Sequence, residues 1–256
     1  MSKNNRRPFF YILPRTSSTS LTKYLDEAFG ENNVFVHKVL QDVYEGRPVT
    51  SETKSPAIED LKKHLQKKGD FKAFVVMAPF GVHKYVPHNN LDLITILRDP
   101  IERCMSLIRL MKRNASVNSL NKFVDDLGSN WKEKINHRDL ICLRNEQSRM
   151  IGNLDEWEVR DQHLPHIEKN LSKFTHVFRF GDIKNIIAAV QEYGGLNAAE
   201  FSHLNGADIT LHEQERLKQV LLKNNKIDIE LYSRLLAIPQ AQSPSDCRED
   251  DQANRG

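Results

Sequence analysis

The sequence predicts an α/β fold in which helices cover a central parallel sheet, and two observations carry this prediction. Short, continuously apolar segments alternate with helical patterns early in the chain, as expected for strands that are buried on both faces. Two of these segments lead directly into polar residues and then a helix, which is typical of ligand sites at the carboxyl ends of parallel strands. With 256 residues, 39% of them hydrophobic, the chain can bury the core of one full domain.

Strand and helix are predicted to alternate in the first half of the chain. Continuous apolar runs predict the strands, and apolar positions at helical spacing predict the helices. A stretch rich in Pro, Ser, Thr and Lys at 47–56 predicts a loop. The predicted strands are 8–14, 33–39, 71–77 and 91–97, and the predicted helices are 18–29 and 58–68.

From Pro100 onward the pattern is mostly helical, which predicts a helix-rich C-terminal half with one strand at 175–180. We expect a single domain over 1–238. The remaining segment, 239–256, has too few apolar residues to pack and is predicted to be a disordered tail. The predicted helices are 100–113, 118–127, 139–152, 182–193, 211–223 and 226–236.

The segment Pro14–Ser20 joins the first predicted strand to the first predicted helix. Main-chain N–H groups at a helix N-terminus attract anions, and Arg15 adds a fixed positive charge, so the segment predicts a phosphate or sulfate site. It lacks the glycines and the lysine of a G-x-x-x-x-G-K-[ST] loop, which disfavours an ordinary ATP or GTP site. The alternative is a plain helix cap. The candidate hydroxyl donors are Thr16, Ser17, Ser18, Thr19 and Ser20.

A second strand of this kind, 91–97, is followed by Arg98 and then by Pro100, whose fixed φ suits a first helical position. Ser106 lies two turns into that helix. The pair Arg98 and Ser106 resembles the 3'-phosphate-binding motif of the sulfotransferases that use 3'-phosphoadenosine 5'-phosphosulfate. By the same resemblance, Pro14–Ser20 is similar to the 5'-phosphosulfate loop of that family.

Two further segments resemble the branch of this family that contains the carbohydrate 2-O-sulfotransferases and related bacterial enzymes. N-E-Q-S-R-M-I at 145–151 is similar to the family's N-x-Q-[ST]-R-x-L helix, and N-K-I-D-I-E-L-Y at 225–232 is similar to its N-x-x-D-x-x-L-Y segment. Simple helix packing is the alternative for both. Together the four motifs imply a P-loop NTPase-like three-layer fold.

The resemblance implies transfer of a sulfuryl group from 3'-phosphoadenosine 5'-phosphosulfate to an acceptor hydroxyl, on a carbohydrate or a small molecule, without a metal. Arg15 would stabilise the charge that develops on the donor, at a position where the family usually has a lysine. Ser17 stands where the family commonly has a glycine. The implied donor-binding residues are Arg15, Thr16, Ser17, Ser18, Thr19, Ser20, Arg98 and Ser106.

The catalytic base is the least determined part of this prediction. Related enzymes often have a G-H-F-P-[YF]-G-x-H segment, and the corresponding V-M-A-P-F-G-V-H at 76–83 has Met77 in place of the first histidine. His83 is therefore the candidate base, because imidazole titrates at about pH 6.5. A structural or solvated histidine is the alternative, and His37 is the second candidate.

Two other functions fit parts of the sequence. A nucleotide-binding protein that has lost catalysis is consistent with Arg15 and Met77. A phosphotransferase normally needs Mg²⁺, and Asp99 is the one evident candidate ligand.

The composition limits the classes of partner and the cellular location that we expect. The net charge of +3 comes without a dense Lys/Arg run, so no nucleic-acid partner is predicted. Three widely spaced cysteines predict neither a disulfide framework nor a zinc knuckle, and His163 and His166 lack a third metal ligand. The apolar run at 8–14 is too short for a signal peptide or a membrane span, so we expect a cytoplasmic protein.

Overall fold

The computed structural model describes most of the predicted domain. The predicted loop at 47–56, the predicted helix at 118–127 and the predicted tail at 239–256 lie outside the described residues. The described ranges are 6–16, 18–37, 59–64, 70–88, 90–113, 142–154, 158–195 and 211–237.

Five parallel strands form one sheet in the order β2-β3-β1-β4-β5. The strands are β1 (Arg7–Tyr11), β2 (Val34–His37), β3 (Ala73–Val76), β4 (Leu91–Leu97) and β5 (His176–Arg179). β1 lies at the centre, where Phe10 is level with Val75 of β3 and Ile94 of β4. The predicted class, a P-loop-like three-layer α/β fold with a central parallel sheet, is confirmed.

The described helices are placed much as the sequence predicts. The helices predicted at 18–29 and 100–113 begin and end where the structure has them, and the C-terminal half is rich in helix. A helical segment at 59–64 occupies part of the predicted helix 58–68. The helices are α1 (Ser18–Phe29), α2 (Pro100–Arg113), α3 (Glu146–Gly152), α4 (Leu164–Leu171), α5 (Ile183–Glu192), α6 (Leu211–Asn224) and α7 (Lys226–Ala237).

Three element predictions need correction. The first strand ends at Tyr11 and not at residue 14, because the chain turns after Leu13. The helix predicted at 139–152 begins only at Glu146, since Asn145 has a left-handed backbone with φ 44°. Helix α4 was not predicted at all, although its buried Leu164 and Ile167 are spaced three residues apart.

The strand order sets where the helices lie. The connection that leaves β1 leads to β2 on one side of the sheet, and the connection that leaves β4 leads to β5 on the other. Because such crossovers are right-handed, α1 and α2 cover opposite faces. None of the described helices combines the length and the apolar character that crossing a bilayer requires.

At the amino end of the sheet, Asp92 makes several polar contacts. Asp92, near the start of β4, is 1% exposed. Its carboxylate pairs with Arg6 at 2.8 Å and accepts hydrogen bonds from the Tyr193 hydroxyl at 2.9 Å and the Thr175 hydroxyl at 3.1 Å. The buried charge is therefore satisfied within the fold at this end, and the candidate site lies at the opposite edge.

Candidate functional site

The candidate site lies between the carboxyl ends of β1 and β4. These neighbouring strands connect in opposite directions, which makes the gap beyond their ends a topological switch point. Ligands of open α/β sheets bind at such points, because the diverging connections leave a crevice there. The chain that leaves β1 contains Arg15, and the chain that leaves β4 contains Arg98.

Three predicted residues meet in this crevice: Arg15, Arg98 and Ser106, which we call the anion cluster. Arg15 donates from Nε and Nη2 to the Ser106 hydroxyl, at 3.2 and 3.0 Å. Arg98 donates from Nη1 to the main-chain oxygen of Arg15 at 3.3 Å. Residues 91 positions apart in sequence are thus in direct contact.

The backbone of Arg15 has φ 67°, a left-handed conformation that is uncommon for a residue with a side chain. This conformation turns the chain sharply between β1 and α1. Strain of this type is found at binding sites, where the surrounding structure holds it in place.

Arg98 is the most constrained cation of the anion cluster. Its guanidinium lies 4.3 Å from the centre of the Phe180 ring, and its Nε has no hydrogen-bond partner among the described residues. Burial lowers the pKa of Arg98, and the positive charges of Arg15, Arg109 and Arg103 lower it further, against the opposite effect of Glu102. Several cations therefore share one small volume, which favours a bound anion.

The structure describes only part of the hydroxyl-rich segment 16–20. The Thr16 hydroxyl is buried and donates to the Leu13 carbonyl oxygen at 2.7 Å, so it stabilises the turn. Thr19 is exposed and Ser20 half-buried in the first turn of α1. Ser17, and the side chain of Ser18, lie outside the described part of the chain.

Two residues near the anion cluster were not assigned to the site from the sequence. Gln147 donates from Nε2 to the main-chain oxygen of Arg98 at 2.9 Å and accepts from the Arg98 main-chain N–H at 3.0 Å. Arg109 lies three residues after Ser106 on α2, a spacing that puts both on one face of the helix. That spacing is the signal that could have identified Arg109.

The other two predicted motifs cap each other's helices, and we call this arrangement the interlocked caps: Asn145, Asn225 and Asp228. Oδ1 of Asn145 accepts from the N–H groups of Ile227 and Asp228 at 3.1 and 3.0 Å, at the start of α7. The carboxylate of Asp228 in turn accepts from the first-turn N–H groups of α3, at 3.1 and 2.7 Å. Oδ1 of Asn225 accepts a hydrogen bond from the main-chain N–H of Asn145 at 2.9 Å.

A charged group lies beneath the interlocked caps. Arg103 is fully buried and donates to the Cys142 carbonyl oxygen at 2.7 Å. Burial alone would lower its pKa, but Cys104, Asp228 and Glu146 raise the pKa of Arg103 above its usual value. Glu146 also pairs with Arg149. These contacts favour a structural role for both motifs.

His83 lies against one face of the sheet. The Tyr11 hydroxyl accepts from the main-chain N–H groups of Gly81 and His83, at 3.0 Å each, and lies 2.7 Å from His83 Nδ1. With both of its lone pairs used, this hydroxyl donates its own proton to Nδ1, which leaves the imidazole proton on Nε2. Burial, with the charges of Lys84 and Lys173, lowers the pKa of His83 to about 4.

The surroundings of His83 are mostly aromatic. Its ring lies 5.3 Å from Phe80, 5.9 Å from Tyr11 and 6.3 Å from Phe9, measured between ring centroids. These contacts are typical of a packed histidine. The catalytic role of His83 stays a prediction, and a base at Nε2 would require the other tautomer.

A separate cavity of about 360 Å³ lies beside the start of α7. Basic side chains contribute much of its lining, and burial lowers the pKa of Arg144 to about 10, against the opposing effect of Glu158. The lining residues are Arg144, Asn145, Glu158, Val159, Arg160, Asp161, Lys223, Asn224, Lys226 and Ile227.

No family model matches the chain, and no curated protein matches it. A solved structure is similar. It is the crystal structure of a sulfotransferase from Alicyclobacillus acidocaldarius, with 12% sequence identity over 90% of this chain and 96% of that chain and a TM-score of 0.47. Because identity and TM-score are both low, this likeness carries no argument about the site.

Proposed function

We propose that this protein transfers a sulfuryl group from 3'-phosphoadenosine 5'-phosphosulfate to an acceptor hydroxyl. The observation that carries the proposal is the anion cluster, in which Arg15, Arg98 and Ser106 meet at the switch point between β1 and β4. It supports a ligand with more than one anionic group, because guanidinium donors and the start of α1 face the same crevice.

The two ends of such a donor would use different parts of the crevice. Arg98 and Ser106, at the exit of β4, would hold the 3'-phosphate. Arg15 and the start of α1 would hold the 5'-phosphosulfate, with hydroxyl donors from Ser17 to Ser20. The predicted donor role of Thr16 needs correction, because its buried hydroxyl already donates to the Leu13 carbonyl oxygen. The Arg15–Ser106 contact would then be replaced by contacts to the donor, since guanidinium bonds to anions are stronger than those to a neutral hydroxyl.

The reaction breaks the bond between sulfur and the bridging oxygen of the donor and forms a bond from sulfur to the acceptor oxygen, which loses its proton. Arg15 would stabilise the negative charge that develops on the bridging oxygen. An arginine remains charged and is a poor proton donor, so the leaving phosphate would depart as the anion. His83 remains the proposed base under the tautomer condition given above. No metal is assigned a part in this reaction.

The acceptor class is also a proposal. A carbohydrate or small hydroxyl compound is expected from the sequence motifs, and the basic lining of the cavity near Arg144 is compatible with an acidic glycan. The cytoplasmic location and the membership of the carbohydrate 2-O branch stay predictions.

Calorimetric titration with adenosine 3',5'-bisphosphate tests the donor site, with adenosine 5'-monophosphate and metal-free ATP as matched controls. We expect selective binding of the bisphosphate, because only this ligand supplies both the 3'- and the 5'-phosphate. Equal binding of all three, or none, would contradict the proposal.

The two alternatives have their own tests. A protein that has lost catalysis would bind the bisphosphate but transfer no radiolabelled sulfuryl group to any hydroxyl compound in a screen. A phosphotransferase would require added magnesium for turnover.

A further inference from the structure

Three side chains that bind metals lie together at the carboxyl end of the edge strand β2. His37 is the last residue of that strand. Asp60 and His64 lie four residues apart on the helical segment 59–64, a spacing that puts them on one face. One ligand atom from each residue lies within 4.8 Å of the other two.

The distances within this group approach those of a metal site. His37 Nε2 lies 3.9 Å from the Asp60 carboxylate, and His64 Nδ1 lies 3.4 Å from it. Ligands in a tetrahedral zinc site with bonds of about 2.0–2.2 Å are roughly 3.3 Å apart. Asp60 and His64 are 56% and 54% exposed, so small rotations of two surface side chains would bring the ligand atoms to that spacing.

The surroundings of the two histidines set what metal binding requires. His64 Nδ1 lies 2.9 Å from the main-chain oxygen of Asp60 and donates to it, so a metal bound at Nδ1 would replace this hydrogen bond and the ring proton would move to Nε2. The His37 ring stacks on Phe35, with ring centroids 6.0 Å apart and 21° between the planes.

We propose that His37, Asp60 and His64 bind a divalent transition-metal ion, with zinc as the best match. Two imidazoles and one carboxylate are a ligand set that zinc uses, and three protein ligands leave a position for water. This group of ligands was not predicted from the sequence, because His37 and Asp60 are 23 positions apart and lie on different elements.

The site is distinct from the anion cluster. β3 lies between β2 and β1 in the sheet, and adjacent strands are about 4.8 Å apart, so the line of β2 is roughly 10 Å from that of β1. The metal proposal therefore does not rest on the proposed function, and either can fail alone.

The test is a titration of the metal-free, full-length, tag-free protein with zinc chloride, followed by calorimetry, and with cobalt(II), followed by its visible absorption. We expect one equivalent of each ion to bind, with intense cobalt bands typical of a tetrahedral site. His64→Gln and Asp60→Asn should each weaken zinc binding at least about tenfold, since even outer-shell changes cost about 10–100-fold. Both residues are exposed, so both variants should fold.

His163→Gln is the matched control, because His163, like His64, lies near a second histidine, His166, three residues later. His163 Nδ1 accepts from the Arg160 N–H at 3.1 Å. The control should keep full zinc affinity. Absence of zinc binding, equal binding by all variants, or loss in His163→Gln would each overturn the proposal.

Discussion

The anion cluster and the interlocked caps were identified by the same kind of sequence resemblance, yet they differ in one physical respect. In the interlocked caps, the oxygens of Asn145, Asn225 and Asp228 all accept main-chain N–H groups, and all three side chains are buried. In the anion cluster, guanidinium groups lie close together, and Arg98 Nε has no partner among the described residues.

The comparison shows how a binding motif differs from a structural one. A polar group whose hydrogen bonds are complete within the fold stabilises that fold. Cations that lie close together in a crevice instead repel one another, and a bound anion relieves that repulsion. We therefore expect changes in the interlocked caps to affect unfolding and changes in the anion cluster to affect donor binding.

Asp228→Ala should have the largest effect. It removes the acceptor for two N–H groups of α3 and leaves the buried charge of Arg103 poorly balanced. We expect the free energy of unfolding in urea to fall by about 3–5 kcal/mol, because two buried N–H groups each lose their acceptor at about 1–3 kcal/mol and Arg103 loses a nearby negative charge. Asp161→Ala, at an exposed position, is the control and should change it by less than about 0.5 kcal/mol. If Asp228→Ala keeps normal stability but binds the donor weakly, the interlocked caps have a binding role and not a structural one.

Arg98→Ala should weaken binding of adenosine 3',5'-bisphosphate by roughly 2 kcal/mol or more, because it removes a charge-assisted contact to phosphate. Calorimetry measures the affinity, and thermal unfolding checks that the variant is folded. Arg216→Ala, on the exposed side of α6, is the matched control and should bind normally. Unchanged affinity in Arg98→Ala would contradict the assignment of the anion cluster as the donor site.

Gln147→Leu tests the contact that joins the two regions. Its amide makes two hydrogen bonds to the main chain of Arg98, and both would be lost in a nearly isosteric apolar side chain. We expect unfolding to become easier by about 1–2 kcal/mol and donor affinity to fall by less than in Arg98→Ala. If donor affinity does not change, Gln147 does not position Arg98.

The smallest expected effect is on the pH dependence of stability. Because the pKa of His83 is about 4 in the folded protein and 6.5 when unperturbed, the unfolded chain binds more protons between these values. Its stabilising contribution is complete above pH 6.5 and is lost as the pH falls towards 4. We expect less than about 2 kcal/mol between pH 7 and pH 5, since partial exposure screens the charge.

Urea unfolding at both pH values measures this effect, and His83→Gln is the control, because it should flatten the pH dependence of stability. The same variant tests catalysis. A packed histidine predicts retained transfer activity, whereas a base predicts a loss of about 100-fold or more.

Much of the fold could be predicted because its causes are local. β4 and α2 have the predicted bounds, since a continuous apolar run and a proline at the first helical position determine each. The start of α3 could not be predicted. It depends on Asp228, some 80 residues away, which accepts its first N–H groups.

The candidate sites, too, could be predicted only in part. Arg15, Arg98 and Ser106 could be brought together in advance, because parallel strands end at one edge of a sheet. No sequence pattern connects Gln147 with the main chain of Arg98, or His37 with Asp60 and His64. Those contacts depend on the packing of segments that are distant along the chain.

The left-handed backbone of Arg15 has a practical consequence for enzyme engineering. Its conformational cost, about 1 kcal/mol, arises where Cβ meets the main chain, and every side chain other than glycine shares it. Arginine and lysine therefore occupy this turn at equal cost. Replacing Arg15 with lysine would exchange a cation that holds its proton for one that can release it. Under the proposed function, the transfer rate of this variant would report acid catalysis and not a rebuilt loop.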